Sequence, residues 1–85
     1  MNLSVVEENG KWIIAENYRF IETGGNYGSI DRQAGGRYGF DRCWRKERDA
    51  WSNQRHFARR FDSEEEANQY LQENYEMMCN APNSF

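Results

Sequence analysis

The chain is poor in several things a folding argument leans on. Its 85 residues include one proline (Pro82), one histidine (His56) and two cysteines (Cys43 and Cys79). Its longest uninterrupted apolar run is Trp12-Ile13-Ile14-Ala15. A helix that crosses a bilayer needs about 20 such residues, so no helical span is expected and no membrane partner is predicted. The start, MNLSVVEENG, lacks the basic stretch and apolar run of a secretory signal, which predicts a cytoplasmic protein, in host cytoplasm if phage-encoded. In that compartment two cysteines stay reduced, although a Cys43–Cys79 bridge is the alternative for an exported chain. Zinc wants close pairs of ligands, and Cys43, His56 and Cys79 are widely spaced singles. No metal or cofactor is therefore expected. A catalytic constellation has the same shortage. Cys43 with His56, oriented by Asp41 or Asp49, is the one set available, and a lone histidine beside arginine reads more simply as a polar strand residue. The chain is expected not to be an enzyme.

Aliphatic residues are scarce too, while aromatics make up 15% of the chain. A domain of this length buries only about 60–65% of the surface its unfolded chain exposes. Its core must rest on Trp, Tyr and Phe, each hiding about 150–250 Å².

Charge is divided along the sequence. Residues 1–31 hold five acidic and two basic residues, residues 32–60 hold nine basic and three acidic, and residues 61–85 hold six acidic and no basic residue. The net charge of −3 hides a basic middle and an acidic end. Such asymmetry either marks a charged partner or lets an acidic helix neutralise a basic sheet.

Six of the seven glycines fall in GGNYGSIDRQAGGRYG, residues 24–39. A phosphate-binding P-loop requires Lys followed by Ser or Thr, which this stretch lacks. The dinucleotide fingerprint requires a different glycine spacing and a following helix. What remains is a connector between strands, or a contact loop in which Tyr supplies area and Gly, Ser and Asn adapt.

The pattern predicts one α+β domain over residues 1–85: an antiparallel sheet of about four strands with one C-terminal amphipathic helix packed on one face. An N-terminal hairpin spans 1–21, turning at Asn9-Gly10, a strong type I′ signal. Its second strand, 11–21, carries apolar residues on both parities and should be central in the sheet. The glycine-rich loop follows over 22–36. Basic aromatic strands cover 37–61, with a turn at 47–49 and a last strand at 54–61. A helical reading of 40–61 rests on Trp44 and Trp51 being seven apart, but the aromatic content favours strands. Ser63 and Glu66 form a capping box that opens a helix over 63–78, with Ala67, Tyr70, Leu71, Asn74, Tyr75 and Met78 on one face. Pro82 bars its continuation, and a fraying tail is expected over 79–85. One helix covers one face of a sheet; the other face should carry surplus Arg, Trp and Tyr.

That surplus is the strongest functional signal. Arg and aromatic residues together suit nucleic acid, with Arg on phosphate and rings on bases. They equally suit a protein interface, where Trp, Tyr and Arg are hot spots. They also suit a solvated sheet whose rings are buried. The expected partner-binding residues are Tyr27, Arg32, Arg37, Tyr38, Arg42, Trp44, Arg45, Arg48, Trp51 and Arg55. An exposed aromatic face would also serve a homodimer.

No family pattern is matched at motif level. The stretch HFARRFDSEEEANQYL, a strand followed by a capped acidic helix, resembles the ending of AP2-type and integrase arm-type DNA-binding domains over residues 37–75. That resemblance implies DNA contact through the sheet. The compact, aromatic-rich chain also resembles small phage or mobile-element accessory proteins such as anti-CRISPR inhibitors, which implies stoichiometric blocking of a host protein or nucleoprotein complex.

Overall fold

A computed structural model describes residues 2–21 and 37–84 of the chain. Strand β1 (Leu3–Glu8) turns through Asn9 and Gly10, both at positive φ (55° and 82°), into β2 (Lys11–Glu16). These are the angles of a type I′ turn, whose twist matches that of the strands it joins. β1 and β2 pair without a slip from Leu3 opposite Glu16 to Glu8 opposite Lys11.

The predicted strand over 11–21 breaks in two. Asn17 takes φ 56°, a left-handed conformation that Asn tolerates and that re-aims the chain. Beyond it, β3 (Arg19–Ile21) leaves the main sheet and pairs with β4 (Arg37–Gly39) as a separate two-stranded ribbon. The chain returns through β5 (Arg42–Trp44) and β6 (Trp51–Ser52). The main sheet is antiparallel with strand order β1-β2-β5-β6. Helix α1 (Glu64–Cys79) follows, so the α+β arrangement expected from the sequence is the one found.

The centrality expected of β2 holds: Ile13, Ile14 and Ala15 are all fully buried. The seven-residue spacing of Trp44 and Trp51 belongs to a hairpin. The two residues are direct cross-strand partners, with ring centroids 4.9 Å apart at 74°. Glu47, at φ 75°, sits in the tip between them.

Two other expectations are corrected. Residues 54–61 are not a regular strand. A 3-10 turn at Arg55–Phe57 gives way to an extended stretch that wedges where β2 and β5 diverge. The amide of Arg59 donates to the Trp44 carbonyl and that of Lys46 to the Phe57 carbonyl, both at 2.8 Å, while Trp12 and Phe61 exchange two bonds on the other side. The tail does not fray either. Helix α1 stops at Cys79, and the chain then runs parallel to β6: the Trp51 amide donates to the Pro82 carbonyl at 3.0 Å, and the Ser84 amide donates to the Trp51 carbonyl at 2.6 Å.

The helix begins as its capping pattern requires. The Ser63 hydroxyl accepts from the Glu66 amide at 3.1 Å. Glu66 reaches back one residue further than a standard box, accepting from the amide of Asp62 at 3.2 Å. α1 packs across β1 and β2. The core beneath it joins Ile14, Trp44, Trp51, Phe61, Ala67 and Met78. Both indoles find partners there: Trp44 Nε1 donates to the Tyr70 hydroxyl at 3.1 Å and Trp51 Nε1 to the Met78 carbonyl at 2.8 Å. Tyr75, expected on the buried face of the helix, is 45% exposed. The opposite face of the sheet is not left open, as the sequence suggested. It carries a second small core of Ile13, Cys43 and Ala58, closed by Val6 and Phe40.

Candidate binding surface

The β3–β4 ribbon brings together two of the exposed aromatics, Phe20 and Tyr38. Phe20 faces Tyr38 across the ribbon, with ring centroids 5.2 Å apart at 69°. Tyr18 stacks on the same Tyr38 ring at 5.4 Å and 8°. The positive φ of Asn17 places Tyr18 there; an unbroken strand would keep it in line with Trp12 and Ile14. Phe20 is 50% exposed and Tyr38 54%. The side chains lock one another at fixed angles while half of their surface stays in water. Burial, and then the nearby Glu8 carboxylate, pushes the Tyr18 phenol above its ordinary value, so it stays neutral at physiological pH.

Beside the ribbon lies a cavity of about 220 Å³ lined by Ile21, Tyr38, Gly39, Phe40, Asn53 and Arg55. Gly39 keeps it tight: a Cβ there would sit 2.7 Å from Ile21 Cδ1. Arg55 forms one wall. Its Nε bonds Glu8 at 2.9 Å, its Nη2 donates to the Tyr38 carbonyl at 3.3 Å, and its guanidinium lies 4.9 Å from the Phe40 ring centre. At the other end Arg19 pairs with Asp41 at 3.2 Å. The Asn17 side-chain amide and then Arg19 hold the Asp41 carboxyl below the usual range.

The structure sorts the residues expected from the sequence. Tyr27 and Arg32, with the glycine-rich loop over 22–36, lie outside the described residues. Arg37 opens β4, directly opposite Ile21. Tyr38 is exposed at the centre of the ribbon, and Arg55 flanks it. Trp44 and Trp51 are fully buried under α1 and cannot touch a partner, which corrects their expected role as anchors. Arg42 is also occupied within the fold. It makes a two-pronged pair with Glu16 (2.7 and 3.1 Å), donates to Asn83 at 2.6 Å and lies over the Trp51 ring. Arg45 lies 4.0 Å from the centre of the Phe57 ring, and Arg59, over Tyr70, donates to the Arg45 carbonyl. Arg48 is exposed in the 46–50 loop. Phe20, Tyr18 and Phe40 join the surface although the sequence did not single them out as site residues. For Tyr18 and Phe20 the signal was Asn17, one of the few residue types that tolerate the left-handed turn.

The Cys43–His56 pair considered for catalysis is not assembled. Cys43 is fully buried and its thiol donates to the Gln54 carbonyl, while His56 is exposed against Phe57. Burial pushes the Cys43 thiol up to about 11. Both cysteines are free thiols. No described helix is long and apolar enough to cross a membrane. Comparison of the chain with family models, with curated proteins and with solved structures gives no match.

Proposed function

We propose that the protein is a non-enzymatic binding protein, a stoichiometric inhibitor or modulator of a larger protein or nucleoprotein complex in host cytoplasm. It acts by seating the β3–β4 ribbon on a partner and blocking that surface. The observation that carries this reading is the fixed, half-exposed Phe20–Tyr38 pair beside a cavity of about 220 Å³. Sites for small molecules run to about 300–1,000 Å³. A cavity below that range, rimmed by aromatics and an arginine, suits a single side chain of another protein, the arrangement of an interface hot spot. The alternative, a DNA-binding module working through the sheet, has less support. The sheet faces are covered, and Arg42, Arg45, Arg55 and Arg59 are engaged on rings and carbonyls within the fold.

Phe20→Ala with Tyr38→Ala tests the reading. Both side chains are half exposed, so the double variant should keep the wild-type circular dichroism. It should lose a 1:1 complex that the wild type forms with a host component, by at least about 30-fold in affinity, since one hot spot is worth about 2 kcal/mol or more. Undiminished complex formation by the folded variant would sink the assignment. Titration with duplex and single-stranded DNA at two salt concentrations runs beside it. Saturable binding that weakens steeply with salt would replace the protein partner with nucleic acid.

A further inference from the structure

The two edges of the main sheet differ. The β6 edge is closed by the chain's own tail, through the Pro82 and Ser84 bonds to Trp51 and the Arg42 side chain on Asn83. The β1 edge is not. A two-residue turn makes Glu8 and Lys11 a hydrogen-bonded pair, so the backbone groups of Glu8, Val6 and Ser4 face β2. The Asn17 amide on the Asn2 carbonyl, at 2.8 Å, continues that series. The N–H and C=O groups of Leu3, Val5 and Glu7 therefore point away from β2, and they have no partner among the described residues. Such an edge is a template for another strand. Proteins usually blunt it with Pro, Lys or a bulge. β1 (LSVVEE) has neither residue, and its register is continuous.

Charge selects the occupant. Glu7 is exposed on the edge strand. α1, which packs over β1 and β2, carries exposed Glu64, Glu65, Glu66, Glu73 and Glu76, and residues 61–85 contain no cation. Lys11, the basic residue of the hairpin, is paired with Asp62. A second copy joined antiparallel through β1 would set Glu7 and the acidic helix beside their own equivalents on one side of the joined sheet, which like charge opposes. We propose that the β1 edge receives an extended, Lys- or Arg-bearing segment of a partner protein, added as a fifth strand. Main-chain bonds to Leu3, Val5 and Glu7 supply the pairing, and the cations face the glutamates of α1. The ribbon and this edge are separate surfaces, so failure of one leaves the other standing.

The probes are two synthetic octapeptides with one alternating pattern, one placing Lys between Val and Thr and the other placing Glu there. They are titrated into the full, 15N-labelled chain. The lysine peptide should saturate at 1:1, shift the Leu3, Val5 and Glu7 amides and slow their hydrogen exchange. The glutamate peptide should bind at least about tenfold more weakly, the factor for 1.4 kcal/mol. A lysine peptide N-methylated at alternate residues keeps its charge but cannot pair, and should lose about three- to tenfold for each bond removed. Glu7→Pro deletes one outward donor without touching the β1–β2 ladder and should do the same; Glu7→Gln separates that effect from the charge. Equal binding of the methylated and plain lysine peptides, shifts confined to α1, no binding at millimolar peptide, or a concentration-dependent dimer that protects the same amides would each overturn the proposal.

Discussion

Trp51→Ala is expected to unfold the protein, whereas a surface anchor would lose only partner affinity. Trp51 is fully buried, packs edge-on against Trp44 at 4.9 Å and lies under the Arg42 guanidinium. Truncating a buried Trp costs about 3–5 kcal/mol. Its indole N–H is also the partner of the Met78 carbonyl at the end of α1. That carbonyl keeps a second donor, the Ala81 amide at 3.2 Å, so losing the indole bond adds about 0.5–1.5 kcal/mol. The total rivals the whole stability of a domain of this length, about 4–13 kcal/mol at 0.05–0.15 per residue. Trp51→Phe keeps an aromatic ring but deletes the donor and part of the buried volume, so it should cost about 1–3 kcal/mol. Urea unfolding followed by far-ultraviolet circular dichroism separates the cases. With a slope of about 1–3 kcal/mol per molar, Trp51→Phe should lower the midpoint by about 1 M, and Trp51→Ala should leave little or no cooperative transition. Tyr38→Ala, at a half-exposed site, is the control and should move the midpoint only slightly. A Trp51→Ala protein whose midpoint stays within about 0.3 M of wild type would refute the placement of Trp51 between sheet and helix.

Two further outcomes follow from local chemistry. The Cys43 thiol is pushed up to about 11 from an ordinary 9.0 because burial disfavours the thiolate, so the folded state holds its proton where the unfolded chain releases it. That contribution is complete below pH 9 and is lost as pH rises toward 11; Cys43→Ala should flatten this part of the alkaline stability profile, and thiol labelling at pH 8 should show Cys79 reacting promptly and Cys43 only on unfolding. Ser63→Ala removes the hydroxyl that accepts from the Glu66 amide and should lower stability by about 1 kcal/mol, with Ser63→Asp restoring most of it, both read from urea midpoints.

The parts of this fold legible in the sequence are those set by rules that act within a few residues. Asn9-Gly10 dictates its turn whatever surrounds it. Ser63 caps its helix. Three consecutive apolar residues, Ile13-Ile14-Ala15, require cover on both sides of β2, and they have it. The misread parts depend on distant neighbours. Asn17 breaks a strand whose alternation continues on paper, because its bonds go to Asn2 and Asp41. Residues 58–61 look like a strand because they are extended, yet they bond to β2 and β5 in turn and form no ladder of their own. The tail was expected to fray because nothing local holds it; β6, three decades of residues earlier in the chain's order, does.

The arginines show the same limit in the candidate site. Interleaved Arg and aromatic residues read as a binding patch, yet four of these arginines lie on rings of the same chain: Arg42 on Trp51, Arg45 on Phe57, Arg55 on Phe40 and Arg59 on Tyr70. A chain with few aliphatic residues must finish its thin core with something. A guanidinium plate covers an aromatic face with its flat side and keeps its edge donors in reach of carbonyls, carboxylates or water. Arg42 satisfies Glu16 and Asn83 in this way, and Arg55 satisfies Glu8 and Tyr38. Composition alone cannot separate an arginine that lids a core from one that awaits a partner, because both uses call for the same pair of residue types. The distinction lies in whether the ring has a free face. Phe20 and Tyr38 keep half their surface in water with no guanidinium over them among the described residues, so the binding reading rests on them and not on the richer basic stretch that follows.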